Sequence, residues 1–107
     1  MAAIGLGLER ETFTEKMKRG PHKLAPTGSD LVRYPVGTIF AGFHYDFNFL
    51  NIHGKSRYPG LFCWLRTGEK VKVSVPEGHL LLQAGKQFEY LTGGYITCGF
   101  HEVVYTK

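Results

Sequence analysis

The chain has little of what would place it in several common classes. Only two cysteines, Cys63 and Cys98, occur in 107 residues, so one disulfide at most could form and a disulfide-stapled secreted scaffold is excluded. Both lie in apolar, strand-like runs, where buried free thiols are common. No apolar run approaches the roughly 18 residues of a membrane-spanning helix. Nothing at the N-terminus resembles a secretory signal, and the expectation is a soluble protein in a reduced, cytoplasmic setting. Internal repeats and low-complexity tracts are absent. A dense run of one charge is also missing: thirteen Lys and Arg face nine Asp and Glu, a net +4. Only Lys16, Lys18, Arg19 and Lys23 cluster, around Gly20-Pro21, and they read as a solvated helix end. Without a basic stripe alternating with exposed aromatics, nucleic-acid binding is disfavoured.

Aromatic residues are plentiful, with eight Phe, six Tyr and one Trp. At this length they can build one core but not two. Residues 1–30 read as a helical lead-in and loop. The helix is firm from about Glu9 or Thr12 and stops at Gly20-Pro21, and Pro21 to Asp30 is turn-rich. From residue 31 to 107 the character is β. Leu31 to Pro35, Val36 to Asp46, Phe49 to His53, Leu61 to Leu65, Lys70 to Val75, His79 to Gln83 and Tyr95 to Tyr105 each read as strands. Gly54-Lys55-Ser56, Thr67-Gly68-Glu69, Pro76-Glu77-Gly78 and Gly93-Gly94 supply turns between them. Many short strands at this spacing predict a sandwich, jelly roll or barrel.

The stretch Gly42 to Leu50 carries the chemistry. His44 and Asp46 are two residues apart in an aromatic run, so on a strand they share one face while Phe43, Tyr45 and Phe47 turn to a packing layer. One imidazole and one carboxylate are two thirds of the open-sided two-His, one-carboxylate site that suits non-haem Fe(II). A third ligand would come from His22, His53, His79 or His101. His22 and His79 lie at turns, and His53 has the wrong parity if its strand simply continued. His101 sits in the mostly apolar run Ile96 to Val104, where an imidazole needs a partner.

Six landmarks in order then resemble the catalytic core of the isopenicillin N synthase-like 2-oxoglutarate/Fe(II)-dependent dioxygenases. They are Arg33-Tyr34-Pro35, His44-Tyr45-Asp46, Pro59-Gly60-Leu61, Val75-Pro76-Glu77-Gly78, Gln83 through Gly94, and His101-Glu102-Val103, with 54 residues between Asp46 and His101. The resemblance implies a mainly β fold, a double-stranded β-helix or jelly roll with a short N-terminal helix. It implies His44, Asp46 and His101 as metal ligands, Fe(II) as the metal and 2-oxoglutarate as co-substrate. The implied reaction is oxidation of a small organic substrate with O2, releasing succinate and CO2. Tyr34 is either a partner for the far carboxylate of the co-substrate or a strand-end aromatic at the rim.

The chain departs from the family pattern after His101, where only six residues follow and no Arg-x-Ser motif occurs. The family's Arg there grips the co-substrate by a bidentate hydrogen bond. The expectation is therefore a core fragment that ends before the last core strand, with an open sheet edge able to pair with another chain and with doubtful turnover of its own. Glu102 stands where an Arg is common, and Val32 where an Asn is common. Two alternatives stand beside the oxygenase: an Fe(II)/O2 oxidase that uses no 2-oxoglutarate, and a noncatalytic β-sandwich binding module.

Overall fold

In the computed structural model, which describes residues 1–107, six short strands form two antiparallel sheets. The strands are β1 (Ile39–His44), β2 (Leu50–His53), β3 (Leu61–Trp64), β4 (Lys70–Lys72), β5 (Leu81–Ala84) and β6 (His101–Val104). One sheet has the order β1-β6-β3-β4, and β2 and β5 form the other. Short helices complete the fold: α1 (Ala2–Gly5), α2 (Thr12–Met17) and α3 (Lys86–Leu91). No helix is long and apolar enough to cross a membrane.

The expected strand Leu31 to Pro35 is a turn instead. Its cause is the residue before it: Asp30 Oδ1 accepts hydrogen bonds from Val32 N and Arg33 N, each at 3.0 Å. An aspartate that binds the amides two and three residues on folds the backbone locally and competes with strand pairing. The helical segment Lys86–Leu91 was not expected either. Its signal is the pairing of Gly85 at the N-cap with Gly93-Gly94 beyond the C-terminus. The remaining strands are shorter than the expected runs and fall inside them, except that β5 ends at Ala84, one residue beyond Gln83, and the N-terminal helix is two short pieces rather than one.

The deepest packing is not between the sheets. Phe13 of α2, Phe49 and Phe88 of α3 meet with ring centroids 4.7–5.4 Å apart, and Ala3 seals the cluster. Tilted and edge-to-face aromatic pairs of this kind contribute about 0.5–1.5 kcal/mol each beyond their buried area. The helices thus back the β2–β5 sheet. The outer face of the four-stranded sheet carries a second aromatic group, in which Phe43 stacks on Phe100 at 5.0 Å and meets Trp64 edge-on at 4.7 Å. Phe43 and Phe47 remain 57% and 74% exposed, so the predicted packing layer is a half-open surface. Cys98 is buried and Cys63 half-buried, both as free thiols.

Register is what positions the site. In the β1–β6 ladder Ile39 faces Val104, Ala41 faces Val103 and His44 faces His101, with irregularities between these pairs. β1 therefore spends more residues than β6 over the same span, a bulged pairing that re-aims side chains. His101 is also opposite Cys63 of β3, so it sits inside the sheet while His44 lies on the edge strand.

Candidate metal centre

Asp46 follows β1 and is held by backbone contacts with α3. Lys86 N donates to Asp46 O at 2.8 Å, Gln87 N to Asn48 O at 3.1 Å, and Gly85 N to Phe49 O at 3.0 Å. The first amides of a helix have no partners inside it, and here they satisfy the loop that carries the carboxylate. Gly85 permits the approach: a Cβ there would lie 2.0 Å from the Asn48 carbonyl oxygen.

His44, Asp46 and His101 converge. One ligand atom from each can be chosen so that all lie within 4.8 Å of one another. His44 Nε2 is 3.8 Å from Asp46 Oδ1, and His101 Nε2 is 3.7 Å from Asp46 Oδ2. These separations are too long for direct hydrogen bonds. Both imidazoles are oriented alike, with His44 Nδ1 2.6 Å from Gly42 O and His101 Nδ1 3.0 Å from Gly99 O. A carbonyl only accepts, so Nδ1 of His44 carries the proton and its Nε2 keeps a lone pair turned toward Asp46; His101 Nδ1 lies between Gly99 O and the Gln83 amide nitrogen, the latter 2.5 Å away. That local bond is not distinctive by itself, since His79 Nδ1 makes the same one to Glu77 O at 2.9 Å. Convergence on a carboxylate is what sets His44 and His101 apart.

The donor set fits a first-row divalent ion. Three atoms no more than 4.8 Å apart fit within a circle of radius about 2.8 Å, so closure of roughly 0.6–0.8 Å reaches ordinary imidazole and carboxylate bond lengths. Two neutral nitrogens and one carboxylate on one side leave the other side open. His101 is buried, and His44 is the most exposed of the three, at 42% of its side chain. A cavity of about 230 Å³ adjoins His101, walled by Leu61, Cys63 and Val73 on one side and Leu81 to Ala84 on the other. The centre therefore borders an apolar space between the two sheets.

The other sequence candidates lie elsewhere. His22 binds Met17 O at 3.1 Å on the exposed lead-in, and His53 ends β2 opposite Leu81. Tyr34 packs its ring edge-on against Phe40 at 5.9 Å, and Phe40 stacks on Tyr105 at 6.1 Å. Two residues that the sequence did not single out touch the centre. Asn51 Nδ2 donates to Asp46 Oδ2 at 2.5 Å, and Gln83 Nε2 lies 3.1 Å from His101 Nε2. Asn51 lies five residues from Asp46 in the chain, and the pairing of β2 with β5 brings Gln83 beside it.

Away from the centre, α3 is tied to the approach to β6. Glu89 bonds Lys86 and accepts from Cys98 N at 2.7 Å. Those bonds, the lysine's first, lower its pKa to about 2. The same pair raises the pKa of Lys86, and burial raises that of the Cys98 thiol.

No family model and no curated protein matches the chain. Solved structures do. A protein described as an oxygenase from Shewanella oneidensis superposes with a TM-score of 0.61 at 23% identity, over 76% of this chain and 29% of that one. A full-length Neurospora crassa protein in complex with alpha-KG and 5-formyluracil gives a TM-score of 0.67 at 18% identity, over 95% of this chain and 34% of that one. With alpha-KG alone, that protein aligns at 0.59 and 22% identity, over 64% and 21%. The fold is a double-stranded β-helix. The chain spans about a third or less of the length of these structures, and the resemblance at this identity is one of fold.

Proposed function

We propose that the chain is the metal-binding core of a non-haem Fe(II)- and 2-oxoglutarate-dependent oxygenase, with His44, Asp46 and His101 as the ligands. The observation that carries the reading is their convergence from two strands and a loop, with both Nε2 atoms within 3.8 Å of one carboxylate. Presence of alpha-KG in a protein of similar fold supports 2-oxoglutarate as co-substrate. When bound, Fe(II) would supply the activation of O2 that drives oxidation of a small organic substrate, with 2-oxoglutarate converted to succinate and CO2. The protein's own residues would hold the ion on one side, with the apolar cavity beside His101 adjoining it. Tyr34 as a partner for the far carboxylate of the co-substrate belongs to the same proposal.

Titration with Co(II), a redox-silent surrogate, tests the reading. Wild-type protein binds one ion, and His44→Ala, Asp46→Ala or His101→Ala abolishes binding. Unchanged affinity in all three variants would sink the proposal. Succinate formation from 2-oxoglutarate in the presence of Fe(II) and O2 separates this oxygenase from an oxidase that needs no co-substrate.

A further inference from the structure

We infer that Asn51 and Gln83, a cross-strand pair on the β2–β5 sheet, are positioning residues that leave Asp46 a single free oxygen with which to hold an ion. The inference rests on the metal reading above and concerns the facing sheet, which contributes no ligand.

The two residues are direct partners in the β2–β5 register, so their side chains leave the sheet together on one face. Asn48 donates its amide to Asn51 Oδ1. With its carbonyl end occupied, Asn51 must present Nδ2 to Asp46, and that atom is 2.5 Å from Oδ2. The amide orientation follows from the network. Gln83 Nε2 reaches the same Oδ2 at 3.4 Å and lies against the His101 imidazole, 2.5 Å from Nδ1 and 3.1 Å from Nε2. Two amide donors therefore converge on Oδ2, while Oδ1 faces His44 Nε2. A carboxylate pinned through one oxygen by two donors cannot turn freely to chelate with both. A three-ligand site gains from this, because a carboxylate bound through one oxygen keeps a position open for other ligands.

An ordinary polar pair on a strand would be solvated and indifferent to the centre. Gln83 instead lines the apolar cavity beside His101, where an amide without a partner is costly. It joins the carboxylate and the buried histidine through one group, and Asn51 braces the carboxylate from the other strand.

Asn51→Leu and Gln83→Met remove the donors at nearly constant size. In Co(II) titrations of the whole chain, each variant is expected to weaken binding about 10- to 100-fold, the usual consequence of losing a group that orients a ligand. The Co(II) absorption spectrum at saturation is also expected to change, because the freed carboxylate alters the coordination of the ion. A purely structural role would shift thermal unfolding without altering the spectrum of the fully loaded protein. Circular dichroism identifies a variant that fails to fold, and the other then carries the comparison. Affinity within twofold of wild type and an unchanged spectrum in the folded variants, with binding still abolished by His44→Ala, overturn the positioning role and leave the metal reading standing. Absence of Co(II) binding by wild type overturns both.

Discussion

Gly85→Ala should damage the fold and the centre together. The glycine has φ −92°, a conformation open to any residue, so the penalty is one of contact rather than backbone strain. A Cβ would meet Asn48 O at 2.0 Å, Asn48 Oδ1 at 2.3 Å and Asn48 C at 2.7 Å. Restoring ordinary contact requires the loop and α3 to separate by roughly 1.4 Å, at a site where interiors yield little. That movement stretches the three bonds from Gly85, Lys86 and Gln87 to Phe49, Asp46 and Asn48. At about 0.5–1.5 kcal/mol net for each bond, the expected loss is about 1.5–4.5 kcal/mol. Reduced entropy of the unfolded chain returns only about 0.4–1 kcal/mol. Against a typical total of about 5–15 kcal/mol, the change is large enough to read in urea unfolding followed by circular dichroism. Because Asp46 O is one of the three acceptors, Co(II) affinity should fall as well. Unfolding free energy within about 0.5 kcal/mol of wild type, together with unchanged affinity, would refute the idea that α3 holds the carboxylate loop.

Phe13→Ala removes one ring of the three-ring cluster and should lower the unfolding free energy by about 3 kcal/mol or more, measured by denaturant titration. Lys70→Met leaves Glu102, 11% exposed, without its cation; a loss of about 1–3 kcal/mol is expected, below the full cost of breaking a wholly buried pair. Glu89 has a folded-state pKa near 2 against a usual 4.5, so the unfolded chain takes up its proton first as pH falls. Its stabilising contribution is present above about pH 4.5 and disappears toward pH 2; Glu89→Gln should flatten that acid limb in unfolding midpoints. β1 and β4 are the edge strands of the larger sheet, and pairing through such an edge predicts self-association that grows with concentration; a single monomeric species by sedimentation at all concentrations would refute it.

Local pattern alone carries the chemistry of the candidate ligands and the type of most elements. His44 and Asp46 are close in the chain, so their neighbourhood needed only local strand geometry. The polar His101 in an apolar run advertised a need for a partner. Aromatic and β-branched runs broken by turn residues carry the β class without help from distant contacts.

Tertiary structure decided the rest. Whether His101 meets Asp46 depends on the register of β1 against β6 and on its irregular steps, which no local pattern specifies. Asn51 and Gln83 are ordinary polar residues in sequence, 32 positions apart; Asn51 is five residues from Asp46 in the chain, but Gln83 reaches it only when β2 pairs with β5. Leu31 to Pro35 failed as a strand because one side-chain oxygen of Asp30 captured two amides, a competition that β-propensity does not register. Residue type is written in the chain, but which types meet is settled by long-range pairing, and the centre of this protein is assembled at that level.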